Sequence, residues 1–376
     1  MKKIKLHPFL VSVLIMAFVA CDKEDEGQVN ALSDCESNDF FCEFDSRNFQ
    51  MGFTTWPYAA SSASVNNTYQ FIANNGDIYS EHIDSEIPWE AWINNLALPV
   101  EFTNSIAGKV DKVIPNSKLT VSVSLLNGSR NDLAPDFDGT TPSYSELNDS
   151  HIEEAYFRHL KYITNQLNPD YLIIAIEVNE LLKNAPDKWE AYKLLMANVK
   201  SRIEQEFPDL TVSESITLHN FYQPDVQNPA TFIAEVAEYA NAMDFVTISF
   251  YPFFKGLKTK EDFQDAFNFL HEKIDQPIAI AETGHLSEDL TVDGLNLFIT
   301  GNPLEQQDYL EVLATNAQIH NYEYIIWWTH RDYNELWETF PESVKDLGKI
   351  WMSTGIINEE GTEKAAYASW DIAFRK

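Results

Sequence analysis

The run Tyr171-Leu-Ile-Ile-Ala-Ile-Glu177-Val-Asn179-Glu180 is apolar until its last positions, where acid and amide side chains appear. A second run, Pro277-Ile-Ala-Ile-Ala-Glu282-Thr-Gly284, has the same form. Short, near-continuous apolar runs that change character abruptly are the mark of strands buried on both faces, as in a parallel sheet. A carboxylate directly after such a strand is costly to desolvate unless it is paired or put to use. Taken singly, either Glu could simply cap the next helix or form a salt bridge. Taken together they call for an architecture that gathers the ends of distant strands.

Working outward from these two runs, six more candidate strands appear, at Phe49–Trp56, Asp77–His82, Leu119–Leu125, Thr211–Leu218, Phe245–Phe250 and Tyr324–Trp328. Helical spacing of apolar residues fills most of the intervals. His151–Leu167, Trp189–Glu206 and Leu304–His320 show it most clearly. Eight alternating strand–helix units predict a single α/β domain over residues 49–376, a (β/α)8 TIM barrel. An open doubly wound sheet is the competing fold, but its glycine-rich turn after the first strand is missing. Two irregular stretches, Asn127–Asn148 and His285–Pro303, follow strands three and seven. In a barrel both fall on the C-terminal face, where binding loops lie.

The N-terminal residues have a different character. Lys2, Lys3 and Lys5 precede an apolar run from Phe9 to Ala20 that is shorter than the ~20 residues a membrane helix needs. Residues 1–20 therefore read as a signal peptide. Phe18-Val19-Ala20-Cys21 resembles a bacterial lipobox, which implies cleavage before Cys21 and lipidation of its sulfur. Residues 21–48 are polar and read as a tether. Cys35 and Cys42 within it could close a small disulfide loop in an oxidising compartment. The expected location is the cell envelope, lipid-anchored, at the outer membrane or cell surface. A formal net charge of −32 argues against nucleic acid as a partner. An acidic, aromatic-rich chain is better suited to a neutral or cationic ligand. No metal-ligand spacing is present, and no cofactor is expected.

Cleavage of a glycosidic bond with retention needs two carboxyl groups roughly 5–5.5 Å apart, one to protonate the leaving oxygen and one to attack the sugar carbon. An Asn-Glu at the end of strand four, with a Glu at the end of strand seven, resembles glycoside hydrolase clan A. The resemblance runs over strands four to eight and implies Glu180 as acid/base, Glu282 as nucleophile and Asn179 as a sugar-binding amide. Glu177, three residues earlier, is the rival acid. Asp244-Phe-Val-Thr-Ile-Ser-Phe-Tyr251-Pro-Phe-Phe254 resembles the sixth strand of family 53 endo-β-1,4-galactanases, which implies that Tyr251 orients the nucleophile. Ile325-Ile-Trp327-Trp328 resembles the eighth strand of many clan members. Trp328 is expected to floor the sugar site, and Trp327 to point away. Trp56, His82, Trp89 and His219, at or after strands one, two and five, are further candidates for contact with a poly- or oligosaccharide. Ordinary core packing is the competing reading for each. His285 and His330 are expected on surface loops. The competing function is a surface glycan-binding lipoprotein that keeps the barrel without turnover.

Overall fold

The structure, a computed structural model, describes residues 40–84 and 86–376. The predicted signal peptide, Cys21 and Cys35 lie outside these residues. Among the described residues no helix is long and apolar enough to cross a membrane. Cys42 is disulfide-bonded.

All eight expected strands form. They are β1 (Gln50–Thr54), β2 (Ile78–Ile83), β3 (Lys118–Val123), β4 (Tyr171–Ile173), β5 in two segments (Thr211–Ser213 and Ser215–Thr217), β6 (Val246–Phe250), β7 (Ile278–Thr283) and β8 (Tyr324–Trp327). Every neighbouring pair is parallel. The first segment of β5 pairs with β4 and the second with β6, so the sheet closes on itself through β5. The result is the expected (β/α)8 barrel. Its helices are α1 (Ser62–Asn75), α2 (Val100–Val110), α3 (Ser150–Leu167), α4 (Trp189–Glu206), α5 (Pro229–Asn241), α6 (Lys260–Lys273), α7 (Pro303–His320) and α8 (Ala365–Phe374).

Local chemistry supports these elements. In α3 the buried residues Ile152, Ala155, Tyr156, His159, Ile163 and Leu167 recur at helical spacing, so one stripe faces the sheet. Helix α6 starts with a reciprocal capping box between Thr259 and Asp262. Helix α7 starts with an Asn302 side chain that accepts from two backbone amides, followed by Pro303. Gly52 is obligatory, because a Cβ there would sit 1.7 Å from the Ile78 carbonyl oxygen.

Side chains alternate along each strand between the barrel interior and the helix layer. Ile78, Tyr171, Phe245, Ala279, Tyr324 and Ile326 form an apolar plug inside the barrel. Counting upward by twos from these plug residues reaches His82 in β2 and Asp84 just after it, Ser249 and Tyr251 at β6, and Trp328 after β8. From Tyr171 the same count reaches Glu177. Strand β7 departs from the rule. Its register against β6 shifts between Ile248 and Ser249, and its register against β8 shifts between Ile325 and Trp327. The shift turns Glu282 inward, while the Thr283 hydroxyl faces Tyr309 of α7. Bulges that re-aim a side chain are a recurrent device beside active sites.

The segment read from sequence as the end of the tether packs on the barrel. Phe41 is buried in the main apolar core, and Asn48 hydrogen-bonds Gln318 and Asn321. The stretch after β7, expected as an irregular loop, contains a short hairpin of Leu290–Val292 and Leu297–Ile299.

Candidate active site

A cleft of about 620 Å³ opens at the C-terminal ends of the strands. Its lining includes the aromatic residues Trp56, Trp328, Tyr333, Phe340 and Trp351 and the charged residues Asp84, Lys109 and Arg130. Glu177 and Glu282 line it together. A larger open groove of about 1010 Å³ lies between Trp189 and Phe232, away from any inward-facing carboxyl pair.

The two carboxyls of the cleft meet at one hydroxyl. Ser249 Oγ lies 2.8 Å from Glu177 Oε1 and 3.2 Å from Glu282 Oε1. The two oxygens can be no farther apart than the sum of these contacts, about 6 Å, a closeness compatible with the roughly 5–5.5 Å spacing of retaining enzymes. Glu177 lies beyond Ile173, the last residue of β4, with φ of 58°, a left-handed conformation that is uncommon for a residue with a side chain. Such conformations persist where the surroundings enforce them, and they concentrate at functional sites. Here the Glu177 amide donates to Ser215 Oγ at 2.9 Å, and Arg130 holds the carboxylate at 3.3 Å through both Nε and Nη2.

Arg130 is buried and also left-handed, with φ of 48°. It makes a two-pronged pair with Asp84, at 3.0 and 2.8 Å. The guanidinium thus ties the loop after β3 to the end of β2 and to Glu177, in the fork geometry that suits Arg and not Lys.

Both catalytic-face carboxyls are pushed above the ordinary carboxylate range. For Glu282 the main cause is loss of hydration, followed by the negative charges of Glu177 and Asp84, with Arg130 opposing. For Glu177 loss of hydration again leads, Arg130 opposes it, and Glu180 adds to the rise. Two acids this close share protons as a pair. Tyr251 donates to Glu282, and its own hydroxyl is held protonated by burial and by that carboxylate. His82 Nδ1 lies 3.4 Å from Glu282 Oε2. Burial lowers its pKa to about 4, so the ring is neutral near pH 7. Above this cluster Trp56 and Trp328 lie with ring centroids 5.6 Å apart, and His82 meets Trp328 edge-on.

Of the residues singled out in the sequence, Glu282, Tyr251, Trp328, Trp56, His82 and the rival acid Glu177 come together in this cleft. Trp327 points away, donating from Nε1 to the Thr354 carbonyl. The remaining four lie elsewhere. Glu180 is not among the lining residues. It starts the short helix Asn179–Asn184, and its Oε1 accepts from Thr217 at 2.5 Å and from Asn220 at 2.6 Å, while Lys183 stands 3.7 Å from Oε2. Asn179 is fully buried and ties that helix to Thr217 of β5 through both ends of its amide. Trp89 is a core residue, packed on Tyr156 and donating to the Ala134 carbonyl. His219 packs against Phe254 with tilted rings and is not among the cleft's lining residues. The physical reason is common to Asn179 and Glu180. Regular strand structure ends at Ile173, so residues counted as a strand end belong to the next helical turn. His285 and His330, expected at the surface, are buried among aromatic rings.

Sequence reading missed Arg130, Asp84 and Ser249. Strand alternation was available for Asp84 and Ser249. Nothing local marks Arg130. Among the described residues, no group of three or more His, Cys, Asp or Glu is placed to hold a metal ion.

Comparison with known proteins links this barrel and its cleft to glycoside hydrolases. Residues 152–318, from α3 through β7 into α7, match glycosyl hydrolase family 53. The match spans less than half of the chain and contains Glu177, Ser249, Tyr251 and Glu282, in line with the clan A resemblance seen in the sequence. No curated protein sequence matches significantly. Among solved structures, the GH53 catalytic domain of Ignisphaera aggregans superposes with a TM-score of 0.57 at 13% identity, over 87% of this chain and 96% of that one. The exo-beta-1,4-mannosidase Op5Man5 from Opitutaceae bacterium strain TAV5 gives a TM-score of 0.62 at 12% identity, over 87% of this chain. This chain spans 59% of the mannosidase. A GH5_18 protein from Bifidobacterium longum subsp. infantis gives a TM-score of 0.61 at 16% identity, over 87% of this chain and 79% of that one. At these identities the likeness is one of fold.

Proposed function

We propose that the protein is a retaining glycosidase that cleaves a poly- or oligosaccharide by double displacement, with Glu282 as nucleophile and Glu177 as acid/base. The observation that carries this reading is the pair of carboxyls within reach of a single hydroxyl, Ser249. The role read from sequence for Glu180 passes to Glu177, because Glu180 is engaged by Thr217, Asn220 and Lys183 outside the cleft.

In the first step the Glu282 carboxylate attacks the anomeric carbon while Glu177 gives its proton to the leaving oxygen. In the second step Glu177 takes a proton from water, which displaces Glu282 from the sugar. Tyr251 steadies the nucleophile from one side. Trp56 and Trp328 supply apolar faces for the ring, and the neutral His82 stands beside Glu282 as a partner for a sugar hydroxyl. A non-catalytic glycan-binding role gains nothing from two acids held this close, since their mutual repulsion costs stability. The chain is further read as exported and held at the cell envelope through lipidated Cys21, with the polar residues after it as a spacer.

A screen of neutral plant and algal polysaccharides, read by release of reducing ends, tests the activity. Wild-type release that disappears in Glu282→Gln and Glu177→Gln supports the assignment, and near-full activity in either variant ends it. Lipid labelling of the intact chain, lost in Cys21→Ala, tests the anchor.

A further inference from the structure

Ser249 lies on the barrel-interior face of β6 and is fully buried. Its hydroxyl carries one proton and has two carboxylate oxygens within hydrogen-bonding distance, Glu177 Oε1 and Glu282 Oε1. A hydroxyl can donate only once. If both carboxyls are ionised, one of the two oxygens facing Ser249 Oγ receives no proton from it. When the pair holds one proton, every contact is used, because the protonated carboxyl donates to Oγ and Oγ–H donates to the other carboxylate. The register shift in β7 brings about this arrangement, since it sets Glu282 directly opposite Ser249.

Resting on the reading of Glu177 and Glu282 as the reacting pair, we propose that Ser249 is a positioning residue that holds a single proton on that pair and passes it between the two carboxyls. The productive form needs the proton on Glu177 and none on Glu282. The surroundings do not settle this alone. Arg130, from the loop after β3, favours ionised Glu177. Tyr251, after β6, favours ionised Glu282. Asp84 after β2 and Glu180 on the helix after β4 add negative charge, and His82 of β2 is neutral. Exchange through Ser249 is balanced. The Glu282 O–H proton moves to Oγ as the Oγ–H proton moves to Glu177. The serine ends as a hydroxyl turned the other way, and no proton is exchanged with solvent.

The test uses the full-length protein carrying 13C-labelled glutamate carboxyls, titrated by NMR without substrate, beside pH profiles of kcat/KM on an aryl glycoside that the wild type hydrolyses. In Ser249→Ala the two titration steps of the pair move toward each other by about one pH unit. The bell of kcat/KM narrows to match, and its maximum falls by about 10- to 100-fold. Ser249→Thr, which keeps the hydroxyl, restores the separation and most of the rate. An unchanged separation in Ser249→Ala overturns the proposal, and so does a Thr variant no better than the Ala variant. The underlying assignment fails separately, by persistence of activity in Glu177→Gln or Glu282→Gln.

Discussion

The cleft and the layer between barrel and helices both bury carboxyl groups, but they treat them differently. In the outer layer Glu214, in the break of β5, is nearly inaccessible. Its oxygens accept from Tyr192 of α4 and Tyr239 of α5. Glu81 of β2 is equally buried and is served by Thr55, Tyr69 and Lys109. Each is surrounded by donors of its own. In the cleft Glu177 and Glu282 share one hydroxyl and face each other's charge, and Arg130 is committed to Asp84 as well. Burial alone therefore does not mark a reactive carboxyl. The distinction lies in acids that are dry, close together and share a donor, with an opening toward solvent on one side.

The largest effect that follows is loss of turnover. Glu282→Gln and Glu177→Gln should each lower kcat by about 1,000-fold or more on a natural glycan. Next comes Arg130→Gln. Removing the cation lets both carboxyls rise further, so the optimum of the pH–rate profile should move to higher pH, with kcat/KM down by about 10- to 100-fold; an optimum that stays in place or moves down counts against the role given to Arg130. Glu180→Gln belongs to the structural side of the comparison and should keep activity within about 10-fold, a result that a kinetic assay of the purified variant settles.

The smallest effect concerns Glu214. Burial raises its pKa from 4.5 to about 7. A carboxyl raised on folding favours the native state at low pH, and that contribution is lost as pH climbs through the folded value. Urea unfolding should therefore show stability falling between about pH 4.5 and 7, with a shallower fall in Glu214→Gln. Equal slopes in the two proteins would mean that Glu214 is not the titrating group.

Strand alternation explains how much of this was legible beforehand. All eight strands were readable, because buried parallel strands are apolar throughout and their breaks are sharp. Counting by twos correctly chose Trp328 over Trp327. The same count from Tyr171 favours Glu177 over Glu180, and following the Asn179-Glu180 pair obscured it. For Glu282 the count misleads, since the β7 bulge shifts the phase by one residue, and only its place at the end of the strand made it visible. Arg130 was out of reach, because its loop folds back over the strand ends through long-range contacts with Asp84 and Glu177 that no local pattern records.

Chemical rescue tests the central claim, that Glu177 and not Glu180 is the acid/base, most directly. Glu177→Ala and Glu180→Ala are to be assayed on an activated aryl glycoside with and without azide. The predicted result is strong azide stimulation of Glu177→Ala alone, with a glycosyl azide of retained configuration as product. Azide stimulation of Glu180→Ala, with Glu177→Ala unaffected, would contradict it.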